Sequence, residues 1–160
     1  MAENLYLPDT TNRLETYEAI YPQIASLIQG EPDLIANLAN VTSVLKSAFG
    51  FFWIGFYIVK DNQLVLGPFQ GTIACTRIDF DKGVCGACYR EKKTLIVPDV
   101  EQFPGHIACS SASKSEIVVP LFKNGQVIAI LDIDSDVLDD FSTDDQIGLE
   151  KLMQLVEKCF

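Results

Sequence analysis

The sequence predicts an α+β fold, a central antiparallel sheet flanked by N-terminal and C-terminal helices. Apolar residues recur at helical spacing near both ends of the chain. Between them, aromatic and β-branched runs are joined in pairs across short turn signals, the pattern of hairpins and hence of an antiparallel sheet. The helices must then bury their apolar faces on that sheet. No internal repeat, low-complexity tract or linker-like run divides the 160 residues, so positions 1–160 read as a single domain. A chain of about 150 residues buries roughly two-thirds of its unfolded surface, enough for one proper core.

In "TTNRLETYEAIYPQIASLIQG" the residues Leu14, Tyr17, Ile20, Ile24, Leu27 and Ile28 share a helical face, with Thr or Asn as the start signal and Gly30 as the stop. Pro22 is expected to kink or divide this helix. A second helix follows in "EPDLIANLANVTSVLKSAFG", with Pro32 in its first turn and Leu34, Leu38, Val41 and Leu45 on its apolar face. "FFWIGFYIVKDNQLVLGPFQG" reads as a hairpin turning at "KDNQ", and "TLIVPDV" as a short strand. "SEIVVPLFKNGQVIAILDIDS" carries the Asn-Gly signal of a two-residue hairpin turn. "STDDQIGLEKLMQLVEKCF" opens with capping and acidic residues and continues as an amphipathic helix. The span from Gly71 to Ser115 has little regular pattern apart from "TLIVPDV", and long excursions of that kind tend to carry function.

The formal net charge is −10, and no Lys/Arg cluster interrupts it, which argues against nucleic acid or an anionic membrane surface as partners. The N-terminal stretch "MAENLYLPDTTNRL" lacks a basic region followed by an apolar one, and no apolar run nears the roughly 20 residues that span a bilayer. A cytoplasmic location is expected. There the five cysteines would be free thiols, metal ligands or catalytic groups rather than a disulfide framework.

Four of those five, Cys75, Cys85, Cys88 and Cys109, fall in the irregular span, beside Gly, Ala and Ser. Cys159 is the penultimate residue of the last helix and reads as structural or incidental. A structural zinc site could use the four loop thiols, but zinc ribbons pair two short Cys spacings and only Cys85-x-x-Cys88 has one. A single histidine, His106, argues against a multi-His metal centre. No metal and no cofactor are expected. Cys85-x-x-Cys88 has the spacing of a redox pair, but the thioredoxin-type pattern opens a helix after a parallel strand, and neither is expected here. A thiol redox site needs one reachable cysteine of depressed pKa and a second thiol to capture the oxidised sulfur. Gly83 and Gly86 around Cys85, and Ala108 and Ser110 around Cys109, would leave backbone N–H groups free to face a developing oxyanion. His106 either tunes Cys109 or is a turn histidine bonded to the backbone.

The segments "LGPFQGTIAC", "KGVCG", "VPDVEQFPGHIAC", "KSEIVVPL" and "LDIDS" together resemble the free methionine-R-sulfoxide reductases, stand-alone GAF domains, from about Trp53 to Leu152. The resemblance implies a GAF-like sheet flanked by helices, and reduction of free L-methionine-(R)-sulfoxide to methionine. It implies Cys109 as nucleophile, Cys75 as principal resolving thiol, Cys85 as a further redox cysteine and thioredoxin as reductant. Glu116, Asp132 and Asp134 would contact the polar end of the ligand or its sulfoxide. Alternation in "LDIDS" places the two aspartates on one face of the sheet, and such charges need a partner if buried. Trp53 and Tyr57 would wall the methylthio end, with Gly55 between them leaving space.

This chain departs from the family pattern at two points. Cys88 stands where a small non-thiol residue is common, which leaves open whether Cys75, Cys85 or Cys88 resolves. "CSSASKSE" lacks the acidic residue often found directly after the nucleophile, a change that should favour the Cys109 thiolate. The alternative reading is a non-catalytic GAF sensor whose cavity binds a small ligand. Analogy with GAF domains also admits a homodimer.

Overall fold

A computed structural model describes residues 4–107 and 109–160; Ala108 lies outside the described residues. Helix α1 (Arg13–Ile28) is capped by the Asn12 side chain, which accepts from the amides of Leu14 and Glu15. Pro22 does not divide it into two elements. Pro22 and Glu18, whose carbonyl loses its helical donor, are both exposed, so water can take the place of that bond. Helix α2 (Leu34–Phe49) starts at Asp33, so Pro32 stands just outside it rather than in its first turn, and Gly50 closes it in the left-handed conformation.

The hairpins form as the turn chemistry predicts. Strands β1 (Trp53–Lys60) and β2 (Gln63–Gln70) meet at Asp61 and Asn62, both with positive φ. Strands β5 (Ser115–Lys123) and β6 (Gln126–Ser135) meet at Asn124 and Gly125, again both with positive φ. With β3 (Arg77–Asp79) and β4 (Leu95–Val97) they make a six-stranded antiparallel sheet in the order β3-β2-β1-β6-β5-β4.

The span from Gly71 to Ser115 is more regular than its sequence suggests. It holds β3 and a helix, α3 (Gly83–Glu91), with Cys85 and Cys88 on it. Two glycines in this short helix weaken the sequence signal. One of them is a packing requirement: a Cβ on Gly86 would lie 2.8 Å from the carbonyl oxygen of Phe80. The helix therefore sits tight against the turn before it, and β3 pairs antiparallel to β2, unlike the strand of a thioredoxin-type motif.

Strand alternation divides the core in two. Ile54, Phe56 and Ile58 of β1, Ile117, Val119 and Leu121 of β5, and Leu131 and Ile133 of β6 pack with α1, α2 and the last helix, α4 (Thr143–Val156). Buried Asp145 ties α4 to α1, accepting from the Tyr17 hydroxyl at 2.9 Å and from Arg13 at 2.9 Å. The opposite face of the same strands packs with α3 through Trp53, Tyr57, Val118, Ile130, Val84, Cys85 and Cys88. Among the described residues no helix is long and apolar enough to cross a membrane.

Candidate active site

A pocket opens on the α3 face of the sheet, enclosing about 540 Å³ including its mouth. Strand register builds its floor. Glu116 of β5 stands opposite Asp134 of β6, and Asp132 and Asp134 stand opposite Gly55 and Trp53 of β1. Since residues two apart share a face, this register puts Glu116, Asp132, Asp134, Trp53 and Tyr57 into one cavity. The two aspartates do face one side, as the alternation in "LDIDS" predicts.

The acids are deeply placed, with Glu116 and Asp132 each 6% exposed. Burial, with the neighbouring carboxylates Asp132 and Asp134, pushes the Glu116 carboxyl well above its usual range. Burial and Asp134 do the same to Asp132. Asp134, half-buried, is raised to about 6 by burial, against a hydrogen bond from Ser113 that favours its charged form. In the sequence Ser113 is one serine in a Ser-rich run, with no local signal that sets it apart. Asp132 Oδ1 is buried with no hydrogen-bond partner among the described residues.

The aromatic wall stands beside the acids. Trp53 and Tyr57 stack with ring centroids 6.1 Å apart. Gly55 does not leave free space for a ligand: a Cβ there would lie 2.4 Å from Trp53 Cη2, so the indole itself folds over the glycine. Both aromatic residues also hold the loop before β3. The Trp53 indole N–H donates to the Thr72 carbonyl at 3.0 Å, and the Tyr57 hydroxyl donates to the Cys75 carbonyl at 2.9 Å.

That loop carries one half of a disulfide. Cys75 is bonded to Cys109; exposed Cys109 lines the pocket, and half-buried Cys75 follows Ala74, which lines it too. The bond uses two of the four thiols that a zinc site would have required. Cys85 and Cys88 are not loop thiols but buried helical ones, 4% and 0% exposed. Cys85 lines the pocket and its thiol donates to Glu116 Oε1 at 3.8 Å, whereas the Cys88 thiol turns to the Val118 carbonyl at 3.7 Å. Burial, then Asp132 and Glu116, push both thiols up.

The expected cradle of backbone donors is not formed by the glycines. The amide of Gly86 bonds to Lys82 within α3, and that of Gly83 bonds to Gly105. The Cys109 amide bonds to the Ile107 carbonyl. The carboxyl side chains of Glu116, Asp132 and Asp134 and the side chains of Ser110 and Ser113 line the cavity instead. His106 lines the pocket, with its backbone N–H donating to Phe103 and its imidazole pKa lowered by burial, against the opposing pull of Glu101.

Comparison with known proteins decides the family. The GAF domain model GAF_2 matches residues 31–158. A free methionine-R-sulfoxide reductase of Escherichia coli (strain K12) is 43% identical over 148 residues, covering 92% of this chain and 90% of that protein. The chain belongs to the free methionine-R-sulfoxide reductase family of GAF domains. GAF domain-containing protein A of Dictyostelium discoideum is 56% identical over 158 residues, 98% of this chain and 99% of its own. The crystal structure of the free methionine-R-sulfoxide reductase of Neisseria meningitidis with its substrate superposes with a TM-score of 0.95 at 48% identity, covering 98% of this chain and 95% of that one. The sheet and helices described above are thus those of this reductase family.

Proposed function

We propose that this protein reduces free L-methionine-(R)-sulfoxide to methionine, with Cys109 as nucleophile and Cys75 as resolving thiol. The carrying observation is the placement of the Cys75–Cys109 bond at a pocket that also holds Trp53, Tyr57, Glu116, Asp132 and Asp134. The names of the E. coli relative and the Neisseria structure support the substrate.

In the reaction the Cys109 thiolate attacks the sulfoxide sulfur, and two electrons pass from the cysteine sulfur to the substrate. Oxygen, with a proton from a pocket carboxyl, ends on Cys109 as a sulfenic acid and methionine leaves. The Cys75 thiol then attacks that sulfenic acid, the oxygen departs as water, and the disulfide forms. A dithiol, with thioredoxin as the reductant, returns two electrons and restores both thiols in the cytoplasm. Cys85 is a further redox cysteine in this scheme, buried beside Glu116.

The carboxyls account for selectivity toward a free amino acid. Three acids in a desolvated pocket favour a ligand that brings its own cation, and the α-ammonium of free methionine sulfoxide is one. A peptide-bound residue has none. A carboxyl that keeps its proton in the cavity can also hydrogen-bond the sulfoxide oxygen as the S–O bond breaks. Trp53 and Tyr57 give the methylthio end an apolar wall.

The test supplies R and S epimers of free methionine sulfoxide, and peptide-bound sulfoxide, with a dithiol reductant. Turnover of the free R epimer alone is expected. Equal turnover of the peptide form would remove the role given to the acids.

A further inference from the structure

On the pocket floor the Cys85 sulfur, a Glu116 oxygen and an Asp132 oxygen all lie within 4.8 Å of one another. They come from three separate elements, α3, β5 and β6. Asp132 Oδ1 is buried and has no hydrogen-bond partner among the described residues, so one acceptor of that carboxyl is unanswered. A substrate ammonium would pair with the oxygens and make no use of a sulfur beside them.

One sulfur and two carboxylate oxygens are a donor set for a small borderline cation. Magnesium and calcium take oxygen ligands and gain nothing from sulfur, whereas zinc accepts Cys and carboxylate together. The spacing agrees. Zinc bonds of about 2.3 Å to sulfur and about 2.1 Å to oxygen at a tetrahedral angle set the two donors about 3.6 Å apart. Cys85 Sγ and Glu116 Oε1 are 3.8 Å apart. Gly86 locks α3 against the turn at Phe80, so the thiol is placed before any ion arrives.

We propose that Cys85, Glu116 and Asp132 form a binding site for a zinc-type divalent cation, and that its occupancy blocks the pocket. The three groups line the same cavity as Trp53 and Tyr57, so an ion held there and an amino-acid ammonium answer the same buried charge. Zinc would then be an inhibitor, separate from the sulfoxide chemistry proposed above. Ion binding itself does not rest on that chemistry; the competition with substrate does.

The test uses the oxidised protein, in which the free thiols are Cys85, Cys88 and Cys159 and the Cys75–Cys109 pair cannot bind metal. Titration with Co²⁺, without reductant, is expected to give one bound ion with thiolate-to-cobalt charge-transfer absorption in the near ultraviolet, bleached by Zn²⁺. Cys85→Ser should abolish the band, and Cys159→Ser should leave it intact. Glu116→Gln and Asp132→Asn keep the thiol and should each raise the Co²⁺ concentration for half-saturation by about tenfold or more. No band in the wild type, a band surviving Cys85→Ser, or unchanged affinity in both carboxyl variants would overturn the site. Free methionine-(R)-sulfoxide should displace the cobalt. Cobalt retained at saturating sulfoxide would overturn the blocking role while turnover of the sulfoxide still tests the reaction independently.

Discussion

On β6, Leu131 and Ile133 pack into the layer under α1, α2 and α4, while their neighbours Asp132 and Asp134 enter the pocket under α3. On β5, Ile117 and Val119 lie with the first pair and Glu116 lies with the second. The two faces share every backbone hydrogen bond and differ by one residue of phase. One buries hydrocarbon, which stabilises by roughly 25 cal/mol per Å² of apolar surface. The other buries apolar residues too, Val118 and Ile130 among them, but adds carboxyls and the Cys85 thiol, groups whose desolvation opposes folding unless something pairs with them. The comparison teaches that this sheet separates stability from chemistry by strand alternation, so substitutions at adjacent positions should have opposite consequences.

The largest effect should come from the pocket side alone. Cys109→Ser removes the attacking sulfur and should lower sulfoxide turnover by about 10⁴-fold or more. Cys109 is exposed, so the thermal midpoint of the reduced protein should stay where it is in the wild type. If Cys109→Ser retains full turnover, the nucleophile is another residue.

Next come two neighbours on β6. Leu131→Ala leaves a cavity in the helix-covered layer and should cost about 2–5 kcal/mol of stability, with kcat/KM unchanged at temperatures where the variant is folded. Asp132→Asn should do the reverse. It removes a carboxyl from the pocket and should lower kcat/KM by about 10²–10⁴-fold, while denaturant unfolding of the reduced protein shows equal or higher stability. Equal loss of stability in the two variants would mean that the faces are not energetically distinct.

A smaller effect reads the electrostatics of the pocket directly. With the folded-state pKa of Asp134 raised to about 6, the folded protein holds a proton that the unfolded chain gives up near pH 4. The stability this proton contributes is fully present below the unfolded pKa and is lost as pH rises through the folded one. Asp134→Asn has no such dependence. The variant should therefore gain on the wild type between about pH 4 and pH 6, by up to about 3 kcal/mol, and hold that advantage at higher pH. Urea unfolding across pH with a chelator present measures it. A difference flat across that window would mean the carboxyl titrates as it does in water.

The contrast between the faces also explains what could be read from sequence. Helix caps at Asn12 and Ser142, and turns at Asp61-Asn62 and Asn124-Gly125, are local signals, and each sits where the sequence places it, whereas α2 starts later than Pro32 suggests, at Asp33. The alternation at Asp132 and Asp134 is local too. The helix α3 is not: its glycines oppose helix formation, and it exists because Gly86 lets it pack on Phe80 and because Val84, Cys85 and Cys88 bury against the sheet. Treating that segment as loop is what made Cys85 and Cys88 look accessible. The same gap hid the engagement of the Gly83 and Gly86 amides, which depends on Gly105 and on the helix itself. Residues within a periodic element were legible; contacts made between segments were not.

The smallest effect tests whether the aromatic wall belongs to both regions. Tyr57 packs in the pocket-side core, and its hydroxyl donates to the Cys75 carbonyl at 2.9 Å. Tyr57→Phe keeps the ring and removes that bond, worth about 1 kcal/mol net. The loop bearing Cys75 then samples positions away from Cys109, and capture of the sulfenic acid should slow by about fivefold. Methionine release precedes capture, so a single turnover should show an unchanged methionine burst and a delayed loss of free thiols. A burst slowed as much as the thiol loss would place the hydroxyl in substrate attack instead, and the loop would need no tether from the sheet.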